Sequence, residues 1–135
     1  MKVFVFGNGN IPFYSFMGDY EDYLRRLIGE DVHFIVCDFR GVDTLTMEYL
    51  KTETENVSVY YIGEKPRYLP DKFNTKVSKW GNKGGFKSDS ERDLAAIEDC
   101  THFLATDFNS DNKRVSGTKK NIDMCLSLGK IPIID

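Results

Sequence analysis

The sequence predicts a Rossmann-like α/β fold: a three-layer sandwich with a five-stranded, mainly parallel sheet of order 3-2-1-4-5 and helices on both faces. Three observations predict it. Short apolar runs rich in β-branched and aromatic residues read as strands covered on both faces. Helical patterns stand between them, giving βαβαβ, a long connection, then αβαβ. The chain has 135 residues, 41% of them apolar, which is enough for one domain with a real core and too few for two.

The strands are expected at Val3 to Phe6, His33 to Cys37, Val57 to Ile62, His102 to Ala105 and Ile131 to Ile134. The first helix places Tyr20, Tyr23, Leu24, Leu27 and Ile28 on one face, with Asp19 as N-cap and Gly29 as its stop. The second runs from about Val42 to Thr52 and turns Val42, Leu45, Tyr49 and Leu50 inward. A third starts at "SDSE", where Ser88 and Glu91 have capping-box spacing. The fourth starts near Thr118, buries Ile122, Cys125 and Leu126, and ends at Gly129. His33, His102, Tyr20, Tyr23 and the cysteines read as core residues.

Composition removes several function classes. A formal net charge of -3 lacks the basic footprint of a general nucleic-acid binder, so a nucleic acid partner is disfavoured and any basic site must be local. Cys37, Cys100 and Cys125 form no CxxC pair and leave one over, so neither a disulfide framework nor a zinc site is expected. The opening "MKVFVFGNGN" has too short an apolar run for a signal peptide or a bilayer span. A cytoplasmic protein with no membrane contact, metal or cofactor is therefore expected.

Right-handed crossovers bring the loops after the strands to one sheet edge, where ligands sit at the point of strand-order reversal. "GNGN", Gly7, Asn8, Gly9 and Asn10, permits φ > 0 and close backbone approach, and its N–H groups can face an anion. Ordinary turn chemistry explains it equally well. In "DFRGVD", Gly41 lets Asp38 and Arg40 lie at the strand end and sets Asp43 in the first helical turn. Asp43 then either caps the helix or accepts a hydrogen bond from a sugar hydroxyl. Arg40 pairs either with Asp38 or with a phosphate.

"RVSGTKKN" carries the sharpest signal. Ser116, Gly117 and Thr118 stand where a helix N-terminus turns unpaired N–H groups outward, which is an anion site. Lys113, Arg114, Lys119 and Lys120 crowd the same end, against the helix dipole unless an anion is bound. The plain alternative is a Ser/Thr cap with solvated lysines. The connection from 63 to 87 is long for a structureless link and is expected to form a mobile flap. It holds seven basic residues with Tyr68, Phe73, Trp80 and Phe86 interleaved. These either close over a nucleotide or dock on the core.

The glycine loop, "DFRGVD", "SERDLAAI" and "SGTKKNI", in this order over nearly the whole chain, resemble the SLOG superfamily of Rossmann-like nucleotide-binding domains. The closest likeness is to its small single-domain branch. The superfamily includes the Lonely Guy phosphoribohydrolases, whose last loop reads PGGxGTxxE. Gly117 and Thr118 match that loop, and Arg92 matches an arginine on the preceding helix, but Asn121 stands where the glutamate assists cleavage. A neutral amide cannot act as a base, and such a loss costs about 10² to 10⁴ in rate. The resemblance therefore implies a homo-oligomer that binds a small nucleotide derivative without turnover, as a sensor or sequestering protein for a signalling nucleotide. The alternative is an N-glycosidase or ribosyltransferase using another carboxylate, with Glu91, Asp38, Asp43 and Asp107 as candidates.

Overall fold

A computed structural model of the chain describes residues 1–29 and 31–134. Strand β1 (Lys2–Val5) leads to α1 (Phe13–Phe16), which continues through a π turn (Met17–Glu21) into α2 (Asp22–Leu27). Then come β2 (His33–Cys37), α3 (Val42–Leu50), β3 (Val57–Ile62), a 3-10 turn (Val77–Lys79), β4 (Gly81–Phe86), α4 (Asp89–Asp99), β5 (His102–Leu104), α5 (Gly117–Ser127) and β6 (Ile131–Pro132). The six strands form one sheet of order β4-β3-β2-β1-β5-β6, and every pairing is parallel. The expected order 3-2-1-4-5 is this sheet without β4.

The pleat of β1 explains the two cores. Val3 and Val5 face one way, onto Phe16, Tyr20, Leu24, Met47 and Leu50. Phe4 and Phe6 face the other way, onto Ala96, Ile97 and Cys125, as the two-residue period of a strand requires. Burial of each large side chain contributes about 1.5–3 kcal/mol, so both helical layers are held independently. His33 and His102 are half-buried rather than core residues, and His33 Nε2 lies 2.7 Å from Ser58 Oγ at a strand edge.

The first helix starts six residues before the expected Asp19 cap, because Pro12, with φ -68°, leads directly into it. Phe16 and Tyr20 stack across the π turn at 5.6 Å. The segment 63–87 differs most from expectation. Its "GNKGGF" stretch, β4, pairs with β3 from Ser58↔Gly81 onward. Three glycines concealed it, and at Gly84 a Cβ would collide with the Tyr61 ring. Trp80 and Val77 are buried in the first core, with Trp80 Nε1 donating to Thr54 O at 2.9 Å. Tyr68 and Phe86 also pack on the cores, while Phe73 is exposed.

Candidate functional site

Strand order reverses between β1 and β5, and the loops leaving β1, β2 and β5 meet there around a cleft of about 500 Å³. Tyr20 ties the two strand exits together: its hydroxyl donates to Phe6 O and accepts from the Thr106 N–H, each at 2.9 Å. Gly7 is required by this approach, since a Cβ would strike the Tyr20 hydroxyl and the Val42 side chain. Neither Gly7 nor Gly9 uses the positive φ that glycine permits, whereas Gly41 does, at φ 75°. A Cβ on Gly41 would meet Asn8 O and the Gly9 backbone, so the "DFRGVD" turn is packed directly on the glycine loop. The Val42 N–H donates to Asn8 O at 3.2 Å.

Asn8, itself buried, links this loop to the start of α5. Its Nδ2 donates to Asp107 Oδ1 (3.1 Å) and Thr118 Oγ1 (3.2 Å), and its Oδ1 accepts the Phe108 N–H at 2.8 Å. Asp107 also takes the Ser116 hydroxyl at 2.7 Å and the Asn109 N–H at 3.1 Å. Burial alone would raise its carboxyl, but the hydrogen bonds from Ser110, Ser116, Asn109 and Asn8 outweigh that and hold it far below the usual range. Asp107 is thus a permanently ionised anchor behind the loop, not a base in the cleft.

Ser116 is the N-cap of α5. Its Oγ accepts the Lys119 N–H at 3.0 Å, and its carbonyl accepts the Lys120 N–H at 3.1 Å. Among the described residues, no protein acceptor meets the N–H of Gly117 or Thr118. A Cβ on Gly117 would find nothing within 4 Å, and both residues line the cleft. Arg114 and Arg40 line the same cleft, with the Arg40 guanidinium 5.3 Å from the centre of the half-exposed Phe39 ring. Lys119 is drawn off to Asp123 (2.8 Å), which corrects its reading as part of the basic cluster.

The opposite wall is acidic and largely self-satisfied. Arg92, only 4% exposed, donates to Asp38 Oδ1 (2.9 Å) and Asp93 Oδ1 (2.9 and 3.1 Å), and pairs with Asp89 at 3.0 Å. It organises carboxylates and is not free for a phosphate. Asp38 also accepts the Arg67 N–H and guanidinium at 2.9 to 3.2 Å. Burial opposes ionisation, yet Arg67 and Arg92 hold its carboxyl below the ordinary value. Asp38 and Gly41, expected in the site, therefore lie behind the lining as supports, whereas Gly7, Asn8, Gly9, Asn10 and Asp43 reach it. Asn121 reaches it too, but its Nδ2 is committed to Asp93 Oδ2 at 3.0 Å. Glu91 closes the helix start through the Lys87 N–H at 3.1 Å and is no catalytic candidate. None of residues 63–87 lines the cleft.

Asp43 differs from its neighbours. It is 5% exposed; Oδ2 accepts the Phe39 N–H at 2.9 Å, and no donor among the described residues reaches Oδ1. Burial pushes its carboxyl up to about 7 against the pull of the Phe39 N–H and Arg92, with Asp93 and Asp38 adding to the rise. Sequence reasoning missed Asp89, Asp93, Asn109, Phe39 and the apolar floor of Phe4, Phe6 and Cys37. Phe39 was visible inside "DFRGVD". Asp93 had no local signal, since its partner Asn121 is remote in sequence.

No family model matches the chain, and no curated protein matches it. Among solved structures, the chain is similar to DNA processing protein A from Helicobacter pylori, described for its single-stranded DNA binding mode. The identity is 11% and the TM-score 0.61, over 100% of this chain and 76% of that one. This likeness establishes the Rossmann-like fold. It also corrects the expectation that a nucleic acid partner is disfavoured: a solved protein sharing this fold binds single-stranded DNA. No described helix is long and apolar enough to cross a membrane.

Proposed function

We propose that the chain is a SLOG-like binding protein whose cleft holds a nucleotide, with the phosphate at the start of α5. The observation that carries this reading is the pair of acceptor-free N–H groups at Gly117 and Thr118, opening beside Arg114 onto a cleft of about 500 Å³. That volume lies in the range of small-molecule sites. A helix start concentrates donors and about half a positive charge on an incoming oxyanion. The half-exposed Phe39 ring offers apolar surface to a base. Asn121 stands where a glutamate would assist cleavage, which favours binding over turnover.

The test is binding of a panel of nucleoside monophosphates, followed by thermal shift and native mass spectrometry. At least one member is expected to bind and to be displaced by excess inorganic phosphate. Absence of any binding overturns the reading. Release of free base during incubation would replace it with the N-glycosidase alternative, for which Asp43 and Asp93 supply carboxylates.

A second reading, that the nucleotide belongs to a single strand, is favoured by the fold shared with a single-stranded-DNA-binding protein. Retention of an oligonucleotide that weakens steeply with salt, as counterion release requires, and that is lost with the Gly117 site altered, supports this reading.

A further inference from the structure

We infer that Asp43 forms a second subsite at the deep wall of the cleft, which accepts an uncharged hydrogen-bond donor, a sugar hydroxyl or a base amino group, and rejects an anion. The inference rests on the nucleotide reading of the same cleft and names what the ligand's non-phosphate end must be.

Three observations carry it. First, Asp43 is 95% shielded by the protein, being 5% exposed, yet its Oδ1 has no protein donor and the side chain lines the cleft. Thr46 Oγ1 and Glu48 Oε2 are the side-chain oxygens sealed without a partner among the described residues; Oδ1 of Asp43 is not one of them, so it is reached from the cleft, where a ligand N–H or O–H can take the place of water. Second, the oxygens of Asp93 beside it are taken: Oδ1 by Arg92 and Oδ2 by Asn121. Asp89 also lines the cleft, but its side chain is 60% exposed and water serves its second oxygen; Asp43 is therefore the buried carboxylate left with an acceptor to offer. Third, the wall carries more negative than positive groups, with Asp38, Asp43, Asp89 and Asp93 facing Arg67 and Arg92. A second phosphate or carboxylate placed there meets repulsion, whereas at the start of α5 it meets donors.

Asn121 couples the two subsites. It lies one turn inside α5 from Thr118, about 4.5 Å along the axis, and holds Asp93. A ligand with its phosphate at Gly117 thus spans from donor-rich to acceptor-rich protein.

The titratable and charged groups around Asp43 are Asp38 and Cys37 from β2 and its exit, Arg92 and Asp93 from α4, and Tyr20 from the π turn. Burial keeps the Cys37 thiol and Tyr20 phenol neutral well above neutral pH. Asp38 stays ionised, so Asp43 is the member that changes charge near pH 7. An acceptor role requires its ionised form, so donor-bearing ligands bind more tightly as pH rises through about 7.

The experiment is calorimetric titration of the full chain and of Asp43→Asn with ribose 5-phosphate, with AMP, GMP, CMP and UMP, and with inorganic phosphate, at pH 6 and pH 8. The wild type is expected to bind at least one organic phosphate, and Asp43→Asn to weaken it about 10- to 100-fold at pH 8. Inorganic phosphate should change by less than about threefold. The extra tightening from pH 6 to pH 8 should vanish in the variant; comparing the two proteins cancels the phosphate's own ionisation. Loss with ribose 5-phosphate identifies a sugar hydroxyl as the donor, and loss confined to amino-bearing bases identifies the base. If nucleotides bind but Asp43→Asn binds them equally with the same pH profile, this inference is overturned and the nucleotide reading stands. If nothing binds the wild type, both fall. Should Asp43→Asn fail to fold, the wild-type profile decides: with affinities expressed per phosphate dianion, so that each ligand's own ionisation is removed, organic ligands must gain more between pH 6 and pH 8 than inorganic phosphate does.

Discussion

The two walls of the cleft differ in what they leave unpaired. Along α4, Arg92 spends its guanidinium on Asp38, Asp89 and Asp93, and Asn121 closes the remaining oxygen of Asp93. At the start of α5, the Ser116 cap serves the Lys119 N–H and leaves the N–H groups of Gly117 and Thr118, two residues of the cleft lining, without a protein acceptor among the described residues. A saturated network is a scaffold: it fixes the wall and has little left to give a ligand. Unsaturated donors beside a cleft are the opposite case, because protein N–H groups are seldom left without a partner. Asp43 is the place where the scaffold wall keeps a free acceptor on a buried carboxylate, since Asp89, which also lines the cleft, is 60% exposed.

The largest expected effect tests whether the α4 wall is scaffold. Arg92→Met leaves Asp38 and Asp93 without their shared cation, and removing one partner of a buried pair costs about 3–5 kcal/mol. Urea denaturation should show this whether or not ligand is present; a loss below about 1 kcal/mol would mean that the network is not holding the wall. The next effect has the opposite sign. Asp43 has a raised folded-state value of about 7, so its contribution is fully present below the unfolded value near 4 and is lost as pH rises through 7. Asp43→Asn should therefore match the wild type near pH 4 and be more stable by on the order of 2–3 kcal/mol at pH 8, read from denaturation midpoints at both pH values. The smallest effect sharpens the other wall. Lys119 is paired with Asp123 on the helix surface, where a solvated i,i+4 pair adds little, so Lys119→Ala should leave both the denaturation midpoint and nucleotide affinity essentially unchanged. A clear loss of affinity would return Lys119 to the site.

The layers and sheet order were legible because β1, β2 and β3 are apolar on both faces and the helices between them have clear faces and stops. Where backbone pairing alone makes an element, the sequence is silent: β4 contains Gly81, Gly84 and Gly85 and packs few side chains, so a strand read as part of a flap. In the site, the start of α5 was legible because Ser-Gly-Thr before a helix has a local consequence for N–H groups. The α4 wall was not. Arg92 with Asp38, and Asn121 with Asp93, meet across 54 and 28 residues, and no spacing rule encodes such encounters. The match of Arg92 to a family arginine therefore carried no sign that its guanidinium is spent on aspartates.

Gly117→Pro tests the central claim most directly. Proline at the first helical position removes one N–H while suiting the helix start, and Ser116, at φ -70° and ψ 162°, already has the extended backbone a following proline needs. Titrating AMP and its monophosphate relatives into wild type and variant, the account predicts an unchanged melting temperature and an affinity about 10- to 100-fold weaker for whichever member the wild type binds. Equal affinity in a folded Gly117→Pro protein would contradict it.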